Sequence, residues 1–84
     1  MGVTRTTKAL KQLKKLKERA TQERTLSATR GLAEFPATTG VKALTDHAYG
    51  YRLRVGDYRV MFDAFETIQV VSIEEVKKRD ERTY

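Results

Sequence analysis

Residues 49–63 read YGYRLRVGDYRVMFD, and the fold class follows from this stretch. Tyr49, Tyr51, Leu53 and Val55 alternate with Gly50, Arg52, Arg54 and Gly56, which is the period of a half-buried strand. After Gly56-Asp57 the alternation resumes, with Tyr58, Val60 and Phe62 set against Arg59, Met61 and Asp63. A glycine at the first central position suits a two-residue type II′ turn. That turn pairs Val55 with Tyr58, Arg54 with Arg59, Leu53 with Val60 and Arg52 with Met61.

On either side of this hairpin the pattern changes. Thr6 or Thr7 can cap a helix whose apolar stripe is Ala9, Leu10, Leu13, Leu16 and Ala20. A second helix is expected over residues 22–34, with Leu26, Thr29, Leu32 and Ala33 inward and Pro36 ending it. The break near Ala20 and Thr21 makes the two a helical hairpin, and residues 37–40 read as a loop. A third strand over residues 67–73 carries Ile68, Val70, Val71 and Ile73 on both faces, as a central strand does. Residues 1–6 offer Val3 as their one strong β-former besides threonines, enough for a short strand at most. The expected fold is α+β: an N-terminal helical hairpin packed on a small antiparallel β-sheet, with a short C-terminal tail segment, in a single domain over residues 1–84.

Composition narrows the function. There is no cysteine to supply a disulfide or a thiolate metal ligand, so burial of apolar side chains must hold so small a domain together. No apolar run approaches the roughly 20 residues that cross a bilayer, and the N-terminus has no apolar signal core, so the chain reads as soluble and cytoplasmic. The net charge of +6 favours anionic partners. Residues 1–20 hold seven lysines and arginines against Glu18 alone, so the whole excess sits there and the remainder sums to zero. Lys8, Lys11, Lys14 and Lys15 are therefore candidate RNA-binding residues, although lysines on a helix also make an ordinary solvated face. Nucleotide-binding glycine loops, zinc-ligand spacings and serine nucleophile motifs are all missing from the sequence.

The hairpin carries an electrostatic cost. Directly opposed residues hold their Cβ atoms about 4.5 to 5.5 Å apart, and like charges so placed destabilise a sheet. Two unit charges about 4 Å apart repel by about 1 kcal/mol in water and about 4 kcal/mol at an effective dielectric of 20. Arg54 opposes Arg59, and Arg52 projects from the same face two residues away. A phosphate would turn this repulsion into attraction, because guanidinium presents a planar fork of donors. A solvated face with splayed arginines, and Asp57 or Asp63 as partners, fits the same spacing.

The C-terminal run mixes Lys77, Lys78, Arg79 and Arg82 with Glu74, Glu75, Asp80 and Glu81. If helical, it pairs Glu74 with Lys78 and Glu75 with Arg79 in the favourable i,i+4 order. Alternatively it returns Arg79 and Tyr84 to the arginine face, where a tyrosine ring can stack on a base. Lys77 and Lys78 join the RNA-binding candidates in that case. His47, the one histidine, reads as a surface loop residue.

These segments resemble the RelE/ParE superfamily of type II toxin–antitoxin systems. YGYRLRVGDYRVMFD is similar to the toxin hairpin, IEEVKKRDERTY at 73–84 to its closing strand and tail, and TKALKQLKKL at 7–16 to its first helix. The RelE branch, the one favoured, implies a ribosome-dependent mRNA endonuclease in which a ribose 2′-hydroxyl attacks the adjacent phosphate with no metal and no cofactor. By position, the resemblance puts Arg52 and Arg54 near the nucleophile, Arg59 on the phosphate, Arg79 near the leaving oxygen and Tyr84 against the RNA. It also implies a cognate antitoxin that supplies carboxylates to these arginines, and a toxin–antitoxin hetero-oligomer, besides the ribosome and mRNA as partners. Two features depart from the family. Arginine, which stays protonated, is a poor proton acceptor where relatives often carry lysine, and the N-terminal strand is short. A ParE-like, non-enzymatic gyrase inhibitor, or a catalytically weak toxin acting mainly in a repressor complex, remain the alternatives.

Overall fold

The computed structural model describes residues 1–78. Strands β3 (Tyr51–Val55) and β4 (Tyr58–Phe65) form the expected hairpin. Gly56 has φ +55°, the positive value that a type II′ turn requires at its first central position, and Asp57 does not share it. The register is the one the turn dictates: Val55 with Tyr58, Arg54 with Arg59, Leu53 with Val60, Arg52 with Met61.

Around this hairpin a five-stranded sheet is laid out in the order β1-β5-β4-β3-β2. Its other members are β1 (Gly2–Arg5), β2 (Val41–Ala43) and β5 (Val70–Lys78). The helices α1 (Thr7–Lys14) and α2 (Arg19–Arg30) follow β1. The expectation of a chain that opens on a helical hairpin over an antiparallel sheet is therefore corrected. The α+β class holds, but a strand comes first, and it runs parallel to β5, so the sheet is mixed. Backbone bonding explains why. The Gly2 N–H donates to the Gln69 carbonyl at 2.8 Å and the Thr6 N–H to that of Ile73 at 3.0 Å, while Val3 packs against the core.

The closing strand also differs from expectation. Thr67 and Ile68 lie in a 3₁₀ turn, Glu66–Ile68, and β5 runs on to Lys78. Glu74 and Lys78 are thus strand residues, and the helical i,i+4 pairing between them does not arise. A bulge opposite Met61 and Phe62 brings Met61 to Glu75 and Phe62 to Ile73, with Glu74 as the extra residue. The Glu74 carboxylate accepts from the Ser72 hydroxyl at 2.6 Å.

The helices are shorter and earlier than the stripe suggests. Thr6 caps α1, its Oγ1 accepting from the Ala9 N–H at 3.0 Å, and the same hydroxyl donates to the Glu74 carbonyl at 3.2 Å. Ala9, Leu13 and Leu16 are buried, but Leu10 is 42% exposed and Ala20 belongs to α2. The chain leaves the helix after Lys14 because Gln22 ends it from outside: its side-chain amide donates to the carbonyls of Lys14 and Leu16 at 3.0 and 2.8 Å. In α2 the buried positions are Thr25 and Thr29, followed by Leu32 in the 3₁₀ turn Gly31–Glu34. Leu26 is only half-buried and Ala33 is exposed. Thr29 can sit inside because its hydroxyl donates to the Leu26 carbonyl and accepts from the Arg5 guanidinium.

Both helices cover one sheet face. Leu53, Val55, Val60, Phe62, Val71, Ile73 and Val76 meet Ala9, Leu13, Leu16, Leu32 and Phe35 in a single core. Phe35 stands edge-on to Tyr51 and Phe62, which stack on each other with centroids 5.3 Å apart. The opposite sheet face carries no helix among the described residues.

Candidate nucleic-acid interface

On the face away from the helices, strand alternation and register place the polar residues in two rows. One reads Lys42, Arg52, Met61, Glu75 across β2, β3, β4 and β5; the next reads Arg54, Arg59, Lys77 across β3, β4 and β5. Directly opposed residues project to the same side, so five cations share this face. Arg52, Arg54, Gly56, Tyr58 and Arg59 line a cleft of about 50 Å³. It is a shallow notch, suited to an ionic group rather than to a whole small molecule. A larger hollow of about 480 Å³ lies behind the hairpin, between α2 and β3, with Arg54 on its border. Its lining includes Ala28, Leu32, Leu53 and Val55, and the convergence of cations makes the smaller cleft the better site for chemistry on an anion.

Met61 is the one apolar side chain in these two rows. It projects from the arginine face, yet it is only 2% exposed and stands outside the helix-facing core. Arg52 and Glu75 flank it in register, and long stems laid over an apolar neighbour leave the charged heads at the surface. The Arg52 Nε is shielded from solvent and has no hydrogen-bond partner among the described residues. A buried donor left unmet costs about 1 to 3 kcal/mol, more when it is charged.

The sequence-derived candidates separate clearly. Arg52, Arg54 and Arg59 come together. Lys77 joins them opposite Arg59, whereas Lys78 opposes Tyr58 and so falls on the other face. Arg79 and Tyr84 lie outside the described residues. Lys8, Lys11 and Lys14 are exposed on α1 and Lys15 is its C-cap. Lys8 is also tied to Glu75, Nζ to Oε1 3.6 Å. Lys11 and Lys14 occupy the last helical turn, where cations are favoured whatever they bind. His47 is exposed in the 44–50 loop, its Nδ1 accepting from the Tyr49 N–H at 3.1 Å. That loop is pinned by Gly50, whose N–H donates to Asp63 Oδ1 at 2.6 Å, so Asp63 works as a loop anchor.

Lys42 is the residue that sequence reading missed. Its only signal is the alternation of Val41, Lys42 and Ala43, a run too short to stand out, and pairing with β3 is what sets it beside Arg52. Among the described residues no three histidine, aspartate or glutamate side chains are grouped as metal ligands. No described helix is long and apolar enough to cross a membrane.

No protein-family model and no curated protein matches the sequence, but solved structures do. A chain of the archaeal RelE–RelB complex from Pyrococcus horikoshii OT3 superposes with a TM-score of 0.79 at 27% identity, over 95% of this chain and 96% of that one. A chain of a toxin–antitoxin complex from Mycobacterium tuberculosis gives 0.79 at 24% identity, over 93% and 96%. The isolated RelE toxin of E. coli gives 0.77 at 20% identity, over 95% and 85%. The last two establish the fold, a mixed sheet with two helices on one side, and the archaeal match adds identity along nearly the whole length of both chains. In fold, and with the archaeal chain in sequence as well, the protein is similar to the RelE toxins of toxin–antitoxin systems over nearly its whole length.

Proposed function

We propose that this protein is a ribosome-dependent mRNA endonuclease that inhibits translation in the cytoplasm, and that the outer sheet face binds the RNA strand it cuts. The observation that carries this reading is the convergence of Arg52, Arg54 and Arg59 on one cleft, with Lys42 and Lys77 in the flanking positions of the same two rows. A folded sheet that sets like charges opposite one another sacrifices stability, and a phosphate recovers it. The shielded Arg52 Nε is an additional donor for such a group.

In the reaction, the ribose 2′-oxygen bonds to the adjacent phosphorus and the bond from phosphorus to the 5′-oxygen breaks. The 2′-hydroxyl loses a proton and the 5′-oxygen gains one. Negative charge builds on the phosphorane, and donors preorganised around it lower the barrier; removing one such donor typically costs about 10² to 10³ in rate. Arg52, Arg54 and Arg59 perform that service. Arginine stays protonated, so these residues hold and stabilise the phosphate and take no proton. The family resemblance extends the site to Arg79 beside the leaving oxygen and to Tyr84 stacked against the RNA. The exposed lysines of α1, near the sequence's whole charge excess, supply long-range attraction for ribosomal RNA. A cognate antitoxin, as in the complexes that share this fold, covers the arginine face with carboxylates.

The test is purified protein added to programmed ribosomes, with primer extension to locate cuts, beside a gyrase supercoiling assay. Cuts that disappear with Arg59→Ala or Arg79→Ala support the reading. Intact mRNA together with inhibited gyrase overturns it in favour of a ParE-like activity.

A further inference from the structure

The arginine cleft reaches the hairpin turn at Gly56, and Arg24 of helix α2 meets the same glycine. A Cβ built on Gly56 would lie 3.2 Å from one terminal nitrogen of Arg24 and 3.5 Å from its central guanidinium carbon. The Arg24 guanidinium therefore rests on the bare backbone of the turn. It borders a second hollow of about 250 Å³ together with Thr21, Val55, Gly56, Asp57 and Tyr58. Gly56 and Tyr58 also line the arginine cleft, so the two depressions share a wall. Arg24 is exposed and forms no ion pair among the described residues. Asp57, the nearest carboxylate in sequence to the turn, shares the hollow without coming within ion-pair distance of Arg24.

From this arrangement we infer that Arg24 is a further RNA-positioning residue: it binds a phosphate neighbouring the one held by Arg52, Arg54 and Arg59, where the strand passes over the turn. The inference rests on the RNA-binding reading above. Three features favour a phosphate of the same strand over an acidic peptide. The guanidinium lies within one turn residue of the cleft, as a neighbouring phosphate on one backbone requires. Gly56 leaves no side chain in the path between them. Arg24 is the one cation among the residues lining this hollow, enough for a single phosphate, whereas an acidic peptide needs several. The contact is electrostatic and carries no base information, so it sets register rather than sequence preference.

Two oligoribonucleotides distinguish this role, each with 2′-deoxyribose at the cleavage position so that neither is cut: a dinucleotide with a single phosphate, and a hexanucleotide. Binding is followed by fluorescence anisotropy over a salt series for the intact protein, Arg24→Ala, Arg24→Lys and Arg59→Ala, with melting temperatures to confirm folding. A single-strand phosphate contact contributes a slope of about 0.7 in log affinity against log salt, or about five-fold in affinity near 0.1 M salt. Arg24→Ala is expected to weaken the hexanucleotide by about that factor and to flatten its salt slope by about 0.7, with the dinucleotide unaffected. Arg24→Lys retains the slope. Equal loss on both oligonucleotides, or no loss on either while Arg59→Ala weakens both, overturns the inference and leaves the RNA reading standing. So does an effect of Arg24→Ala confined to an acidic peptide. If Arg59→Ala changes neither oligonucleotide, or the intact protein binds none, the RNA reading fails and the inference fails with it.

Discussion

The two faces of the sheet are made from the same strands and do opposite things. In β4, Val60 and Phe62 are fully buried under the helices, whereas Arg59 on the other side faces Arg54 and Lys77 across the ladders. The covered face is apolar, closely packed and stabilising. The other gathers like charges and a shielded Arg52 Nε with no hydrogen-bond partner among the described residues, arrangements that favour an anion over close packing. Strand alternation allows a domain of this size to combine the two, because a side chain on one face has little influence on packing at the other.

The hardest test of that division is Phe62→Ala. Phe62 is fully buried and meets both Phe35 and Tyr51, so truncation should cost about 3 to 5 kcal/mol, a large part of the stability of a small domain. Chemical denaturation checks it, and a loss under about 1 kcal/mol would mean the helix-facing layer is not the core. Next in size is Arg59→Ala on the other face. Cleavage on programmed ribosomes should fall by about 10² to 10³ with the melting temperature nearly unchanged; unfolding instead would erase the distinction between the faces.

Thr6→Ala probes the seam where α1 meets the β5 edge. The hydroxyl caps α1 and also bonds the Glu74 carbonyl, and its loss should lower stability by about 1 kcal/mol without a change in RNA affinity. Lys42→Ala should do the converse, weakening single-stranded RNA about five-fold near 0.1 M salt while denaturation curves coincide with those of the parent. The smallest effect is also the most pointed. Arg54→Thr removes one of two directly opposed cations and substitutes a good strand former, so stability should hold or rise by up to about 1 kcal/mol as RNA binding weakens. A clear loss of stability would show that Arg54 is structural.

Legibility in the sequence followed the range of the interaction. The hairpin register was readable to the residue because Gly56 and Asp57 form the turn and nothing distant is needed to set the pairing. Helix boundaries were less so: the stripe from Ala9 to Ala20 continues in sequence past the point where Gln22 halts the helix. Thr29 fell on the expected inward stripe, but Thr25, just as deeply buried, was not read there, because a threonine carries no apolar signal of its own. In the site, three arginines could be grouped from one hairpin, while Lys42 and Lys77 acquired their places from neighbouring strands.

By itself, then, the amino-acid sequence determined the α+β class, the hairpin and its facing arginines, since these depend on side-chain period and a two-residue turn. Only the tertiary structure decided that β1 lies parallel to β5, that Met61 is buried beneath the charged face, and that Arg24 rests on the Gly56 turn. The reason is physical. The first is made by backbone groups that every residue carries, in a seam where Thr6 reaches Glu74 across 68 positions. The other two follow from how long side chains settle once distant segments have met, and no local pattern encodes that.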